Sequence, residues 1–300
     1  MKRIHLHPDA PMFSQISAGF WRLNEWEFDT KALIGFIEHC LDLGITTFDH
    51  ADIYGEYGNE ALFGIALKEQ PGLRDKMELV TKCGICLTTS NRPDHTVQHY
   101  NTTAAHIRAS IEQSLKNLET KMIDLVLIHR PDPLMNATEM AEIFSALIEE
   151  GKIRHVGVSN FTPSQFEMFQ SKLDVPLLTN QVECSLLYLN PIYDGTFDQA
   201  QKFGFSPMIW SPFAGGRLFT ENSDRANRVR HICNEMAIKY GVTVDQIALA
   251  WLLRLPCNPQ LVIGTGKKER ASIAAAAPEL QLERQDWYKL LEASNGHPVP

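Results

Sequence analysis

An α/β barrel is the fold class that the sequence predicts, and three observations support it. From residue 30 onward, short apolar runs alternate with amphipathic helical patterns, as they do in a parallel βαβ series. No Pro/Gly/Ser-rich linker or block of charge divides the chain into two halves. The 300 residues exceed the usual size of a domain, but barrels of this kind are often this long. We therefore predict a (β/α)8 TIM barrel that occupies residues 1–300 as one domain.

The elements of this barrel can be assigned in order along the chain. The predicted strands are the apolar runs at residues 16–21, 46–51, 77–84, 123–129, 155–160, 178–184, 206–213 and 260–264. The predicted helices lie at residues 30–43, 59–69, 102–118, 137–150, 163–173, 195–203, 224–240 and 271–277. Thr162 followed by Pro163 is typical of a helix start, and Gly44 and Gly151 follow helical patterns where a helix commonly ends.

Three segments lie outside the regular alternation. Residues 2–15 are predicted to pair as a short N-terminal hairpin, and residues 243–255 to form an extra helix before the last strand. Residues 86–101 form a polar stretch without periodicity, so we predict an irregular loop there. This loop follows the third strand, on the face where barrel enzymes carry their active sites, and is a candidate for substrate contact.

Composition and charge argue against several classes of partner. The net charge of −8 gives no general attraction to nucleic acid or to an anionic membrane. No window approaches the roughly 20 apolar residues of a membrane helix, and the N-terminus lacks the apolar run of a signal peptide. The six cysteines lie mostly in apolar runs, which is typical of reduced thiols. We expect a cytoplasmic protein without structural disulfides.

Titratable side chains follow several of the predicted strands, and a barrel would bring them to one face. Asp49, Lys82 and His129 lie near strand ends, and Tyr54 lies in the loop five positions after Asp49. A buried lysine needs an acidic partner, and Asp49 is the first candidate, with Asp52 as the alternative. An ammonium beside Tyr54 would lower the phenol's pKa from about 10, which would ease proton transfer near neutral pH.

These residues stand in segments that resemble the aldo-keto reductases over nearly the whole chain. The matching segments are residues 19–21, 49–55, 123–125 with His129, 157–161, 180–183 and 210–212. A bacterial branch of predicted oxidoreductases is the most similar part of that family. The resemblance implies a catalytic tetrad of Asp49, Tyr54, Lys82 and His129, with Tyr54 as the general acid for carbonyl reduction.

The resemblance also implies an NADPH/NADP+ site. Ser159, Asn160 and Gln181 would hold the nicotinamide carboxamide, and Trp210 would stack on the nicotinamide ring. The segment after Trp210 matches the family's pyrophosphate contacts, and the residues assigned to it are Ser211, Phe213, Gly215 and Gly216. The segment after the last strand matches the adenosine-phosphate contacts, and the residues assigned to it are Gly264, Gly266, Lys267 and Arg270. Trp21, Tyr100 and Arg130 are candidates for the substrate pocket. A small carbonyl compound is the expected substrate, and no metal is required.

The chain departs from the family pattern at the adenosine end of this site. Thr265 stands where many members have lysine, so Lys267 is only an approximate substitute. Ile273 and Ala274 replace the Glu-Asn pair that often holds adenine, so the adenine contacts are open. Lys267, Lys268 and Arg270 still form a cationic stretch in an acidic protein, which favours the 2′-phosphate of NADP over the free hydroxyl of NAD.

Three other functional classes have some support in the sequence. A doubly wound dehydrogenase is disfavoured, because Glu269 stands where the third glycine of Gly-x-Gly-x-x-Gly would be. A metal-dependent barrel hydrolase could use the His5-Leu6-His7 pair, but it would need further ligands at strand ends. Besides His129 the chain offers His155, which falls at the start of its run, the wrong end for a barrel site. A nucleotide-sensing regulatory subunit of the same fold also remains open. The sequence gives no prediction of the oligomeric state.

Overall fold

Eight parallel strands close into a barrel in the computed structural model, which describes residues 1–300. The structure has twelve strands in all, eight in the barrel and four in two short antiparallel pairs. They are β1 Arg3–His5, β2 Met12–Ser14, β3 Ile16–Gly19, β4 Thr47–Asp49, β5 Glu78–Cys83, β6 Ile85–Cys86, β7 His99–Tyr100, β8 Ile123–Ile128, β9 Ile153–Ser159, β10 Leu177–Glu183, β11 Met208–Trp210 and β12 Gln260–Ile263. The barrel runs in the order β3-β4-β5-β8-β9-β10-β11-β12, and β12 pairs with β3 to close it. The predicted barrel class and its eight strands are confirmed.

Helices follow the barrel strands and cover the outside of the sheet. They are α1 Thr30–Asp42, α2 Tyr54–Tyr57, α3 Asn59–Glu69, α4 Ala104–Asn117, α5 Ala137–Glu149, α6 Pro163–Gln170, α7 Asn190–Tyr193, α8 Thr196–Phe203, α9 Arg217–Thr220, α10 Asp224–Tyr240, α11 Val244–Leu253, α12 Lys268–Ala276 and α13 Arg284–Asn295. Thr162 caps α6 and Thr243 caps α11, each in a capping box with the glutamine three residues later. The extra helix predicted before the last strand is α11.

The hairpin β1–β2 forms as predicted and closes one end of the barrel. Its Leu6 and Phe13 belong to a cluster of 10 buried residues that also contains the inward-facing Leu125, Leu178 and Met208 of the barrel strands. The main-chain oxygen of Leu6 accepts a hydrogen bond from the amide of Ser206, just before β11 begins. The hairpin therefore covers the end where the strands begin, and the opposite end, where they finish, stays accessible.

Two parts of the chain differ from the sequence prediction. The stretch 86–101 is not irregular throughout, because β6 and β7 pair antiparallel at its two ends, with Ile85 opposite Tyr100. Helix α13 was not predicted, although Leu290, Leu291 and a left-handed Gly296 after its last turn are a helical signal. Its Trp287 ring stacks on Trp251 at 5.1 Å between centroids, so this helix completes the outer layer.

The contact between α3 and α4 leads to a prediction about stability. Alanine normally favours a helix over glycine, but a Cβ at Gly64 would overlap the main-chain oxygen of Asn117. We expect Gly64→Ala to lower the free energy of unfolding by about 1–3 kcal/mol through overpacking, measured by urea unfolding. Gly72→Ala is the matched control, because nothing lies within 4 Å of a Cβ there. Equal stability of the two variants would contradict the close contact.

All six cysteines are free and buried. No single helix is long and apolar enough to cross a membrane, although α10 and α11, which meet at 94°, satisfy the length and composition requirements as a bent pair.

Candidate active site

A cavity of about 440 Å³ opens where the barrel strands end. Most of the residues that the sequence assigned to a site line this cavity, and they are Trp21, Asp49, Tyr54, His129, Arg130, Ser159, Asn160, Gln181, Trp210, Ser211, Phe213, Gly215, Gly216, Gly264 and Arg270. Lys82 lies immediately behind the wall, buried to 1% exposure, and contacts two of the lining residues. Tyr100, Gly266 and Lys267 are not among the lining residues.

The Lys82 ammonium is the centre of a buried polar cluster. Its Nζ donates to Asp49 Oδ2 at 2.7 Å, to the main-chain oxygen of His50 at 2.8 Å and to the Tyr54 hydroxyl at 3.0 Å. These three acceptors use all three N–H donors of the ammonium. Gln181 Nε2 donates to the other Asp49 oxygen at 2.8 Å, so the carboxylate is held from two sides. Asp52, the alternative partner, lies buried beside Glu60 instead.

The turn that carries Tyr54 has an unusual backbone. Gly55, Glu56 and Tyr57 have positive φ angles of 58°, 53° and 73°, so the chain makes a left-handed turn directly after the phenol. The buried Asn59 secures this turn to the barrel, because its Nδ2 donates to the main-chain oxygens of Phe20 and Trp21, each at 2.9 Å. Non-glycine residues in this conformation are strained, and such strain is common at functional sites. The turn therefore fixes the Tyr54 hydroxyl against Lys82.

Burial and the charge of Lys82 have opposite effects on the pKa of the Tyr54 phenol. Burial raises the pKa of Tyr54 above its ordinary value, Lys82 lowers it, and Asp49 raises it again. Lys82 acts on the Tyr54 pKa in the predicted direction, but the predicted net lowering of that pKa is wrong, because the cost of burying a phenolate is larger. Burial alone would also lower the pKa of Lys82, yet Asp49 and Tyr54 together raise it. At neutral pH the site holds a protonated phenol beside an ammonium.

His129 stands next to the phenol as a neutral imidazole. Its ring meets the Tyr54 ring edge to face, with 5.8 Å between centroids. Burial, followed by the charges of Lys82 and Arg130, holds the pKa of His129 well below its usual range. Its Nδ1 is buried without a hydrogen-bond partner. An uncharged imidazole here can donate or accept a hydrogen bond at the cavity wall without adding charge to it.

A second polar network joins the ends of β9, β10 and β11. Ser159 Oγ donates to the main-chain oxygen of Gln181 at 2.8 Å, and Asn160 Nδ2 donates to Ser159 Oγ at 2.8 Å. The indole Nε1 of Trp210 donates to Asn160 Oδ1 at 3.1 Å. Asn160 adopts a left-handed conformation with φ of 59°. These side chains are ordered by one another, so the wall of the cavity beside Trp210 is preformed.

The segment after β11 turns sharply along the cavity. Ser211 and Ala214 have φ angles of 51° and 53°, and Gly215 and Gly216 have 66° and 97°. Nothing lies within 4 Å of a Cβ at either glycine, so both leave open space beside the main chain. Successive amides in turns of this kind form concave sites for anions. The segment fits the pyrophosphate of a dinucleotide, which is the group that the sequence assigned to it.

Some residues of the segment after β12 line the cavity, and others pack against the rest of the protein. Gly264, Thr265 and Arg270 line the cavity, whereas Gly266 packs so closely on Trp26 that a Cβ would lie 2.7 Å from the indole. Lys267 is exposed at the start of α12. The Nζ of Lys268 lies 3.5 Å from the position of a Cβ at Gly35 in α1, away from the cavity lining. Of the predicted cationic stretch, only Arg270 reaches the cavity.

Several lining residues were not among those that the sequence assigned to the site. They are Arg22, Ile53, Ile85, Pro212, Phe219, Asp245, Val262, Ile263, Thr265 and Ala274. Asp245 lies in the first turn of α11, where an acidic residue is ordinary and therefore uninformative. Arg22 follows Trp21, and its guanidinium lies 5.1 Å from the centroid of that indole. Ile85 is placed by the β6–β7 pairing, which the sequence did not predict.

Comparisons with known proteins identify the family of this chain. The family model described as "Aldo/keto reductase family" matches residues 15–295. The chain belongs to this family. A relative named as an uncharacterized oxidoreductase, YcsN of Bacillus subtilis, is 48% identical over 100% of both chains. A 6-dehydroglucose reductase of Agrobacterium fabrum is 42% identical, again over 100% of both.

A solved structure of this family has the same fold. The crystal structure of the thermostable aldo-keto reductase Tm1743 aligns with a TM-score of 0.82 at 26% identity, covering 98% of this chain and 100% of the other. The protein is therefore an oxidoreductase of the aldo-keto reductase family, and the resemblance found in the sequence is confirmed.

Proposed function

We propose that this aldo-keto reductase is an NADPH-dependent enzyme that reduces an aldehyde or ketone to an alcohol, with Tyr54 as the general acid. The observation that carries the proposal is the Tyr54 hydroxyl 3.0 Å from the Lys82 ammonium, on the wall of a cavity at the strand ends. A protonated phenol can give its proton to a carbonyl oxygen as negative charge develops there. The Lys82 ammonium stabilises the phenolate that remains, and Asp49 and Gln181 hold this ammonium in place.

His129 and the second polar network have supporting parts in this proposal. A neutral imidazole beside the phenol can donate a hydrogen bond to the carbonyl oxygen, which orients it and stabilises its developing charge. Ser159, Asn160 and Gln181 offer amide and hydroxyl groups for a carboxamide, and Trp210 offers an aromatic face. Because these groups are ordered by one another, they need little rearrangement when a ligand binds.

The residues present fit a dinucleotide. The open turn at Gly215 and Gly216 suits a pyrophosphate, and the exposed Arg270 guanidinium at the cavity edge suits a phosphate on the adenosine ribose. Bound NADPH would supply the hydride for the carbonyl carbon. Only the Arg270 part of the predicted phosphate site lies at the cavity, so the preference for NADPH rests chiefly on this one side chain.

The relatives suggest where to begin the search for a substrate. Two 6-dehydroglucose reductases, from Agrobacterium fabrum and Novosphingobium aromaticivorans, are 42% and 36% identical to this chain over nearly its full length. A sugar that carries an aldehyde is therefore a reasonable first compound. We also propose that residues 1–300 act as one domain. The N-terminal hairpin packs against the inside of the barrel, and the C-terminal helix α13 packs on α10.

The experiment that tests this function measures NADPH consumption with a panel of aldehydes and ketones, with the alcohol product quantified in parallel. We expect one alcohol formed for each NADPH consumed. Binding of NADPH without turnover of any carbonyl would instead support the nucleotide-sensing subunit. Chelator-sensitive hydrolysis without nucleotide would support the barrel hydrolase.

Arg270→Ala tests the cofactor preference. We expect the variant to bind NADPH about tenfold more weakly, and NADH with little change, because only NADPH has the extra phosphate. Nucleotide binding is measured by titration of the protein's tryptophan fluorescence. Arg254→Ala, an exposed arginine outside the cavity, is the control. Equal weakening of both nucleotides would contradict the assignment of Arg270 to the 2′-phosphate.

A further inference from the structure

Arg130 is a charged side chain of the cavity wall that has no ionic partner. It follows His129 directly at the end of β8, is partly buried and lines the cavity. Its guanidinium carbon lies 5.7 Å from the centroid of the Trp210 ring, and no hydrogen bond or salt bridge to another side chain occupies its N–H groups. A guanidinium has five N–H donors in a planar fork, and aromatic contact leaves its edges free.

The charges around Arg130 do not neutralise it. Among the charged residues that line the cavity are three arginines, Arg22, Arg130 and Arg270, and two aspartates, Asp49 and Asp245. Asp49 is already paired with the buried Lys82, so the wall has an excess of positive charge in a chain whose net charge is −8. Glu183, at the end of β10, is close enough for the Arg130 charge to act on the pKa of its carboxyl group, but the two side chains form no salt bridge.

We propose that Arg130 binds an anionic group of the substrate, so that the preferred substrates are aldehydes or ketones that also carry a carboxylate or a phosphate. This inference rests on the proposed carbonyl reduction. Arg130 is one residue from His129, so an anion held by its guanidinium would lie close to the carbonyl group that Tyr54 protonates. Carboxylate and phosphate share the two-oxygen edge that a guanidinium recognises with two parallel hydrogen bonds.

The topology separates this site from the cofactor phosphates. Arg130 follows β8, and Arg270 lies after β12, which stands four strands away in an eight-stranded barrel. The strands that lead to the two arginines therefore stand on opposite sides of the barrel, although the Arg130 side chain reaches the Trp210 ring at the end of β11. The open turn at residues 214–216 follows β11, also away from β8. The phosphates of the dinucleotide are matched to the segments after β11 and β12, which leaves Arg130 for a second anion.

The test compares matched substrates with the wild-type protein and Arg130→Gln. The carboxylate pair is succinic semialdehyde against butanal, and the phosphate pair is glyceraldehyde phosphate against glyceraldehyde. We expect wild type to have a higher kcat/KM for the charged member of at least one pair. In Arg130→Gln that preference should fall about tenfold to a hundredfold, the loss expected for a charged hydrogen-bonded pair. The pair that responds identifies the anion.

Further variants separate recognition of charge from a structural effect. Arg130→Lys keeps a point charge and should recover part of the preference, whereas Arg254→Gln should leave it unchanged. The Kd for NADPH, measured by tryptophan fluorescence, should be the same in wild type and Arg130→Gln. An unchanged preference in Arg130→Gln, or a weaker Kd for NADPH that accounts for the whole loss, would overturn the proposal.

A binding measurement keeps this inference distinct from the proposed function. If wild type consumes no NADPH with any carbonyl, the proposed function fails, and calorimetry with gamma-hydroxybutyrate in the presence of NADP+ then decides the anion site. Heat of binding in wild type that Arg130→Gln abolishes would support the site. Absence of binding to the wild-type protein, or equal binding to both proteins, would overturn it.

Discussion

Tyr54→Phe is expected to lower kcat for carbonyl reduction by about a hundredfold to ten-thousandfold, the usual contribution of a general acid. The substitution removes the hydroxyl that Lys82 contacts at 3.0 Å and leaves the aromatic ring beside His129 in place. The residues proposed to hold the cofactor do not include Tyr54, so the Kd for NADPH should be unchanged. Steady-state kinetics and tryptophan fluorescence titration measure the two quantities on the same preparation.

Tyr57→Phe is the matched control for this substitution. Tyr57 lies in the same left-handed turn, but its hydroxyl accepts a hydrogen bond from the amide of Leu87 at 2.8 Å, and it does not line the cavity. We expect a small effect on kcat, because the lost contact only secures the loop. If Tyr54→Phe retained wild-type turnover, or if Tyr57→Phe lost as much, the assignment of the proton donor would be wrong.

Lys82→Met is expected to destabilise the fold by about 3–5 kcal/mol, because it leaves the carboxylate of Asp49 buried without its ionic partner. Lys82 is 1% exposed and Asp49 is 2% exposed, so water cannot replace the lost ammonium. Turnover should also fall, because without the ammonium the phenolate of Tyr54 costs still more to form. Urea unfolding followed by circular dichroism measures the stability.

A double variant separates the buried charge from the loss of packing. In Lys82→Met with Asp49→Asn, no charge remains in the cluster, and Gln181 can still contact the side chain at position 49. We expect the double variant to be more stable than Lys82→Met alone, although both should lack activity. A double variant no more stable than the single one would show that packing around the methylene stem, and not the unpaired carboxylate, dominates the cost.

The sequence was sufficient for the parts of the site that depend on strand order. Asp49, Lys82, His129 and Gln181 lie in or directly after apolar runs, and a closed parallel barrel brings the carboxyl ends of such runs to one face. Their proximity therefore follows from the alternation of strands and helices. Helix capping at Thr162 and the N-terminal hairpin could also be predicted from the sequence, because both depend on residues that are close together in the chain.

Other features depend on contacts between residues far apart in the chain, and the sequence pattern could not provide them. The pairing of β6 with β7 joins residues 85 and 100 across a polar stretch that has no periodicity. The direction of Lys268 away from the cavity is decided by the packing of α12 on α1. Asp245 and Ile85 belong to the cavity only because their elements are brought to its rim.

The amino-acid sequence by itself determined the barrel, the order of its strands and the set of side chains at their ends, because periodicity and spacing are local properties. Only the tertiary structure decided the protonation balance at Tyr54, where the cost of burial exceeds the effect of Lys82 and raises the pKa. The sequence had made Arg130 a candidate for the substrate pocket, but only the tertiary structure showed that it lines the cavity without an ionic partner. Burial and the pairing of charges depend on every element that packs around a group, so no local pattern contains them.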